Sequence, residues 1–439
     1  MKFIMTGQLT QKLISTLLVS VCLLPVIAGC KSKSDSTAES LSEKESKSTE
    51  PAEPEVFEVK PYEATEDQLL AARLPTEKAS QGWVRLFDGY TLFGMEIIGG
   101  ANWRIEDGSI VVDKGQQGLM CTSMPWSDFE LELQFKATAE TNSGLFLRTP
   151  LDPEDVAKDC YEINIAPSDN PFPTGSIVKR FKTEKDVNTK FDVWRTMNVV
   201  CEGDKVQVTV DGEVTCDFVD PKPVGAGRIG LQFNSGRIEF KEILLKPLGL
   251  ESLLDEDLAK WKKYPDMPGE FIVTDDGWMN VKGGRTQLET KDKFGNFVLL
   301  AEYKLPTVEM NSGIFFRCIP GDVMLGYECQ LSNEVLNESA VMPADVGTGG
   351  IFKRQNARVV AGEVDKWATV VLMASDDKIA SWVNGLQVAD YYDDRELNEN
   401  PRRGKRLDPG TIMIQGHDVK TDALLKQIAI KSLDVDDNK

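Results

Sequence analysis

Apolar and polar residues alternate with a period of two through most of this chain. Residues 128–136 read Asp-Phe-Glu-Leu-Glu-Leu-Gln-Phe-Lys, as an antiparallel strand with one buried and one wet face should. Residues 206–210, the dipeptide Asp211-Gly212 and residues 213–216 predict a hairpin closed by a primed turn. Residues 227–233 and 237–243 follow as strands. The same pattern returns at 296–304, 368–374, 379–383 and 411–414. Short strands separated by turn signals predict an all-β chain built as β-sandwiches. Two segments break the period. Residues 64–78, with Leu69, Leu70, Arg73 and Leu74 behind Thr65, predict a capped helix. Residues 250–264 carry leucines at helical spacing and predict a short helix that links two domains.

Two domains are expected because the chain repeats itself. Asn142-Ser143-Gly144-Leu145-Phe146-Leu147-Arg148 recurs as Asn311-Ser312-Gly313-Ile314-Phe315-Phe316-Arg317. Tyr161-Glu162 recurs as Tyr327-Glu328, and Thr-Gly-x-Ile-x-Lys-Arg occurs at 174–180 and 348–354. Trp194 and Trp367, then Asp211-Gly212 and Asn384-Gly385, continue the match. The offset stays near 170 residues, far longer than a solenoid unit. Repeat one is placed at 82–248 and repeat two at 249–439, each long enough for one sandwich.

The N-terminal region changes the picture of where the protein works. Lys2 and Lys12 precede an apolar run that ends in Val26-Ile27-Ala28-Gly29-Cys30. Residues 1–30 therefore read as a signal peptide rather than a membrane span. Small residues before Cys30 resemble a bacterial lipoprotein cleavage box, which implies lipid attachment at Cys30 and a cell-envelope location, on the periplasmic side or at the outer membrane. An ordinary signal peptide cut near Ala28 is the bland alternative. Residues 31–81 begin with a Ser-, Lys-, Glu-, Thr- and Pro-rich stretch that reads as a disordered tether carrying the short helix.

Composition narrows the partners. The 439 residues hold 50 Lys and Arg against 70 Asp and Glu, a formal charge of −20. Nothing here is suited to neutralise phosphates, so nucleic acid is excluded as a partner. Eight cysteines are present. Cys22 and Cys30 belong to the leader. Cys318 and Cys329 flank an expected hairpin tip, where a bridge is open, whereas Cys201 and Cys216 are separated by an intervening strand. No spacing suggests zinc or calcium, and no cofactor is indicated. Serine-nucleophile and phosphate-loop motifs are absent too.

Candidate chemistry sits on the repeated motif. Alternation puts Asn142, Gly144, Phe146 and Arg148 on one face of their strand, with Leu145 and Leu147 toward the core. Glycine on a strand often marks close approach of a ligand. On the next strand Glu162 and Asn164 share the face opposite Ile163 and Ile165. Arg148, Glu162 and Asn164 are thus expected to converge on one concave surface, with Asn142 beside them. Repeat two offers Asn311, Arg317, Glu328 and Gln330 by the same parity. The bland alternative is a cross-strand Arg–Glu pair decorating a sheet. Gln232 and Asn234 match Gln415 and His417. His417 is the chain's one histidine, and an ordinary imidazole is a better base near neutral pH than a solvated carboxylate unless burial raises the latter.

Taken as a set, these motifs resemble the 3-keto-disaccharide hydrolase domain family, which has a concanavalin A-like jelly-roll fold. The resemblance is carried by Gly82-Trp83-Val84-Arg85-Leu86-Phe87-Asp88-Gly89, Trp103-Arg104-Ile105-Glu106-Asp107-Gly108, the Asn142 to Arg148 motif, Tyr161-Glu162, Pro173-Thr174-Gly175 and Gly230-Leu231-Gln232. Repeat two matches through Asn311 to Arg317, Gly326-Tyr327-Glu328-x-Gln330 and Gln415-x-His417, while its opening has become Leu254-Asp255-Glu256. Repeat one has Asn164 where the family usually has Gln, and Asn234 where it usually has His. The resemblance implies two tandem jelly rolls that cleave glycosides already oxidised at C3. It casts Glu162, Glu328 or His417 as the base and Arg148 or Arg317 as the stabiliser of an enolate oxygen. Asn142, Asn164, Gln232, Asn311, Gln330 and Gln415 would bind the sugar. The alternative on this fold is a non-catalytic carbohydrate-binding protein.

Overall fold

The computed structural model describes residues 56–434, so the leader, the lipid-attachment position Cys30 and most of the expected tether lie outside the described residues. The expected alternation is realised in two β-sandwiches of concanavalin A-like jelly-roll type. The strand Phe129–Ala137 buries Phe129, Leu131, Leu133 and Phe135 and turns its Glu, Gln and Lys side chains outward. Asp211 and Asn384 both have φ near +49°, followed by Gly212 and Gly385, so both hairpins close with the predicted primed turn.

Each repeat carries its own five-stranded sheet. In repeat one the order is Met95–Ile98, Gly118–Thr122, Arg228–Ser235, Asn142–Thr149, Tyr161–Ile165. In repeat two it is Trp261–Lys263, Thr286–Thr290, Thr411–Gly416, Ser312–Cys318, Tyr327–Leu331. The opposing sheets of the two repeats join into one 16-stranded sheet. The joint is Val84–Arg85, antiparallel to Ile238–Pro247 of repeat one and parallel to Leu386–Tyr392 of repeat two. Apolar packing follows the same path. Trp126 of repeat one meets Trp382 of repeat two with ring centroids 5.5 Å apart, in a core that also holds Val298, Val371 and Met373. Burying side chains of this size stabilises the fold by roughly 1.5–3 kcal/mol each, so the repeats are fused through their cores as well as their sheets.

Both helical expectations need correction. The predicted helix over 64–78 is two helices, Glu66–Ala71 and Thr76–Ser80. Thr65 and Gln68 form the anticipated capping box, but Pro75 cannot continue a helix and starts the second one. Both helices pack on the sandwiches, Leu69 and Ala72 in the repeat-two core and Leu74 and Ala79 against Trp83. The linking helix expected over 250–264 does not form. Glu251–Ser252 pairs with Asp422–Ser432 and Trp261–Lys263 pairs with Thr286–Thr290. Leu253, Leu258 and Trp261 are buried in the repeat-two core, and the Trp261 indole donates to the Leu253 carbonyl at 2.7 Å. Their helical spacing is met by a turn in which Leu258 has φ +51°. The six described cysteines are free and buried. Cys329 faces the core and Cys318 the opposite side of its sheet, so no bridge joins them.

Candidate active site

The outward faces of the two five-stranded sheets carry the sites. In repeat two Gly313 pairs with Gln330, and Phe315 with Glu328. A Cβ at Gly313 would lie 2.9 Å from Glu328 Oε1 and 3.4 Å from Gln415 Oε1. A side chain there would displace the carboxyl, which leans with the amide over the bare backbone of Gly313. Repeat one repeats the device, with a Cβ at Gly144 falling 3.2 Å from Glu162 Cγ. Ile163, Ile165, Ile314 and Phe316 fill the cores, as parity required.

Both glutamates are only 7–8% exposed. Burial pushes the Glu162 carboxyl up to about 7, against a hydrogen bond from Gln232 and the charge of Lys179. Burial likewise raises Glu328 to about 7, with Arg402 and Lys353 pulling it down and Asp345 pushing it up. Each carboxyl is therefore poised to gain or lose a proton near neutrality. Around them stand buried amide oxygens with no hydrogen-bond donor: Asn164 Oδ1 and Gln232 Oε1 in repeat one, Gln330 Oε1 and Gln415 Oε1 in repeat two. An unpaired buried acceptor costs free energy until a donor arrives. The hydroxyls of a sugar are donors of the right kind.

The repeat-two amides are held in place by their other atoms. Gln330 Nε2 donates to Asn311 Oδ1 at 2.7 Å, and Gln415 Nε2 meets the Met324 sulfur at 3.5 Å. Met324 is fixed by the buried Gln287, whose Oε1 accepts from its backbone N–H at 2.7 Å. Asn311, Glu328, Gln330, Gln415 and His417 line one cavity of about 310 Å³. A smaller cavity of about 160 Å³ adjoins it and shares Phe315, Glu328, Phe352 and Arg402. His417 stands at the rim, half exposed, with Nδ1 3.0 Å from Asp418 Oδ2. In repeat one the Asn164 amide nitrogen is engaged by the Phe172 carbonyl and Asn170 Oδ1. Asn142 begins the Asn142–Thr149 strand, two residues before Gly144 and on the same side.

The two arginines do not join these sites. Arg148 and Arg317 have φ of +52° and +47°, and each lies where a bulge shifts the register against the neighbouring strand. The bulge breaks alternation one residue after Leu147 and Phe316, so the side chains swing away from the glutamate face. Arg148 donates to the carbonyls of Ser127, Gly203 and Val224 and pairs with Asp128 at 2.7 Å. Arg317 donates to the carbonyls of Gly295, Asp376 and Arg406 and to Asn296 Oδ1. Both are buried staples that tie strand ends to loops of the opposing sheet. Neither lines the Glu328 cavity.

Other residues take the place expected of them. Arg402 and Arg285 line the Glu328 cavity, with Asp345 and Phe352. The sequence did carry a signal for Arg402. The offset between repeats is 173 at Asp220 and Asp393 but 183 at Gly227 and Gly410, so the loop at 394–409 is an insertion. A step from 166 at Tyr161 and Tyr327 to 174 at Thr174 and Thr348 marks a second insertion, which carries Asp345. Among the described residues no three His, Cys, Asp or Glu side chains converge as a metal site would require.

No curated protein matches this chain. Among solved structures it is similar to two Parabacteroides distasonis proteins whose assignment as glycosyl hydrolases is provisional. The first is 20% identical over 40% of this chain and 98% of that one, with a TM-score of 0.36. The second is 24% identical over 38% and 99%, with a TM-score of 0.33. A carbohydrate binding module of Bacillus subtilis is 19% identical over 35% and 95%, with a TM-score of 0.28. The sequence profile of the 3-keto-alpha-glucoside-1,2-lyase-like domain matches residues 82–246 and again 249–431, and the chain belongs to that carbohydrate-related family in two tandem copies.

Proposed function

We propose that the protein cleaves 3-keto-glycosides by elimination followed by hydration, and that repeat two performs the reaction. The observation that carries this reading is the buried carboxyl of Glu328, raised to about 7 and surrounded by unpartnered amide oxygens. A ketone at C3 acidifies the proton on C2. Glu328 in its ionised form takes that proton, the C1–O bond breaks, and the electron pair leaves with the aglycone as C1=C2 forms. Water then adds across the double bond. A base whose pKa matches the working pH is suited to this step. The enolate oxygen needs a donor, and Asn311, whose Oδ1 already accepts from Gln330, lines the cavity with its amide N–H groups left to donate. His417, at the rim, supplies the proton taken by the departing oxygen. Arg317 is fully engaged in hydrogen bonds and has no part in the step.

Repeat one reads as a copy that binds sugar. Its rim is closed by a neutral pair, Gln117 Nε2 donating to Asn234 Oδ1 at 2.5 Å, and the imidazole is replaced by Asn234. On this reading the protein works in the cell envelope, anchored through Cys30. The test is release of a chromogenic aglycone from a 3-keto-glucoside by the protein from residue 56 onward. Release supports the lyase reading. No release, together with measurable binding of unoxidised glycans, supports the carbohydrate-binding alternative instead.

A further inference from the structure

We infer that the repeat-two cavity is built for a sugar carrying an anionic substituent, a carboxylate or a sulfate ester, held by Arg285 and Arg402. The inference rests on the functional reading above, since it names the substrate class of the same site. Its first support is a direct comparison of the two rims. Register aligns Thr286 with Gly118 and Gly416 with Phe233, so Arg285 and His417 occupy the places of Gln117 and Asn234. Repeat one closes its rim with a neutral amide pair. Repeat two opens it and presents a guanidinium and an imidazole instead.

The second support is the inserted loop. Its sixteen residues, 394–409, replace six in repeat one, 221–226, and deliver Arg402 to the cavity. The loop is anchored by rewired ion pairs. In repeat one Arg180 pairs with Asp220 at 2.5 Å and stacks over Tyr161. In repeat two the matching Asp393 is taken by Arg395, a residue of the insertion, through two contacts of 2.7 Å. Arg354, the counterpart of Arg180, is thereby freed to donate to the carbonyls of Pro401 and Arg402. Arg402 in turn donates Nη2 to the Met324 carbonyl at 2.5 Å, which fixes its guanidinium beside the cavity. A loop held this firmly presents its arginine in one place.

The third support is charge. Among the described residues neither Arg285 nor Arg402 has a carboxylate within 4.0 Å, although the chain as a whole carries −20. The acidic groups of the cavity are Glu328 and Asp345, and Glu328 is neutral over part of the working range. Two unpaired guanidiniums in an acidic protein form a local anion-attracting field, and their planar donors fit a carboxylate or sulfate.

The test compares substrates with the same aglycone: a neutral 3-keto-glucoside, the 3-keto-glucuronide, and the 3-keto-glucoside 6-sulfate. The expected result is a kcat/KM at least about tenfold higher for one or both charged substrates at low salt, falling as salt rises from about 0.05 M to about 0.5 M. Preference for the glucuronide alone assigns a carboxylate, and preference for the sulfate alone a sulfate ester. The double variant R285Q/R402Q should lower turnover of the charged substrate at least about tenfold more than that of the neutral one. Equal or faster turnover of the neutral substrate by the parent overturns the inference, as does an equal loss on both substrates in the variant. Titration with unoxidised methyl glucuronide and methyl glucoside, which cannot eliminate, separates this inference from the functional reading. Preferential glucuronide binding without turnover of any keto-sugar sinks the lyase reading alone. Turnover of a neutral keto-sugar with no anion preference sinks the anion site alone.

Discussion

The two glutamates occupy equivalent places in equivalent sheets, yet their surroundings have diverged. Glu162 and Glu328 are equally buried, are raised to about the same pKa, and lean over a glycine on the adjoining strand. That much is set by the shared framework. What differs is borne by loops and rim positions, where change is tolerated most easily. Repeat one has Asn164 tied to its own loop and a neutral Gln117–Asn234 closure. Repeat two has Gln330 tied to Asn311, His417 at the rim, and Arg402 from an insertion. A buried carboxyl with a raised pKa is therefore common to both copies, and on the proposed reading the loops decide which copy uses it.

The sharpest way to break this contrast is to remove one carboxyl at a time. Glu328→Gln should lower elimination by about 10² or more, the usual cost of losing a general base. Glu162→Gln should change it by less than about threefold, within the range of a distant substitution that costs under ~1 kcal/mol. Steady-state rates on a 3-keto-glucoside check both. A reversed order would make repeat one the working copy.

Gly313→Ala comes next. The new methyl would meet Glu328 Oε1 at 2.9 Å, and a flexible carboxyl yields to it by moving. A displacement of this size should cost about tenfold in kcat with little change in thermal stability, because misplacement of a reacting group is expensive. The same change at Gly144 should leave turnover unaltered. Equal effects at the two glycines would erase the distinction between the sites.

Stability against pH sharpens the comparison from the other side. In the folded chain both carboxyls keep their proton to about pH 7, whereas unfolded they release it near 4.5. Between those values the unfolded chain binds fewer protons, so stability falls as pH rises. The stabilisation is fully present below pH 4.5 and lost above about 7, at most on the order of 3 kcal/mol per glutamate. Denaturant titrations at about pH 5 and about pH 8, near the two ends of the window, should show a smaller fall in Glu328→Gln than in the parent, and Glu162→Gln should match it. An unchanged fall in both variants would mean that neither carboxyl is buried as described.

The arginines give the opposite pattern, large in stability and small in chemistry. Arg317→Leu leaves the Gly295, Asp376 and Arg406 carbonyls without their donor and should destabilise the fold by about 3 kcal/mol. Turnover per folded molecule should stay within about threefold. A variant of normal stability with lost turnover would restore Arg317 to the site.

Much of this was legible in the sequence. Period-two alternation located the strands, and the parity of Ile163 and Ile314 put Glu162 and Glu328 on the face away from the core. Alternation failed at Arg148 and Arg317 because a positive φ inside a bulge is a tertiary bargain, sustained by four hydrogen bonds that no local pattern announces. The linking helix failed because Leu253, Leu258 and Trp261 gain more by entering the core than by forming an isolated turn of helix. His417 looked the better base only while Glu328 was taken as solvated, and burial removes that premise. Arg285 and Arg402 escaped notice for another reason. They lie where the repeats differ, and matching motifs directs attention to where they agree.

The most direct measurement asks whether Glu328 takes the proton from C2. A 3-keto-1,5-anhydroglucitol deuterated at C2 has no aglycone to lose, so it reports proton transfer alone. The account predicts that the parent and Glu162→Gln wash the deuterium into solvent, on a rate profile that rises through a pH of about 7, and that Glu328→Gln does not. Washout that persists in Glu328→Gln and disappears in Glu162→Gln would contradict it.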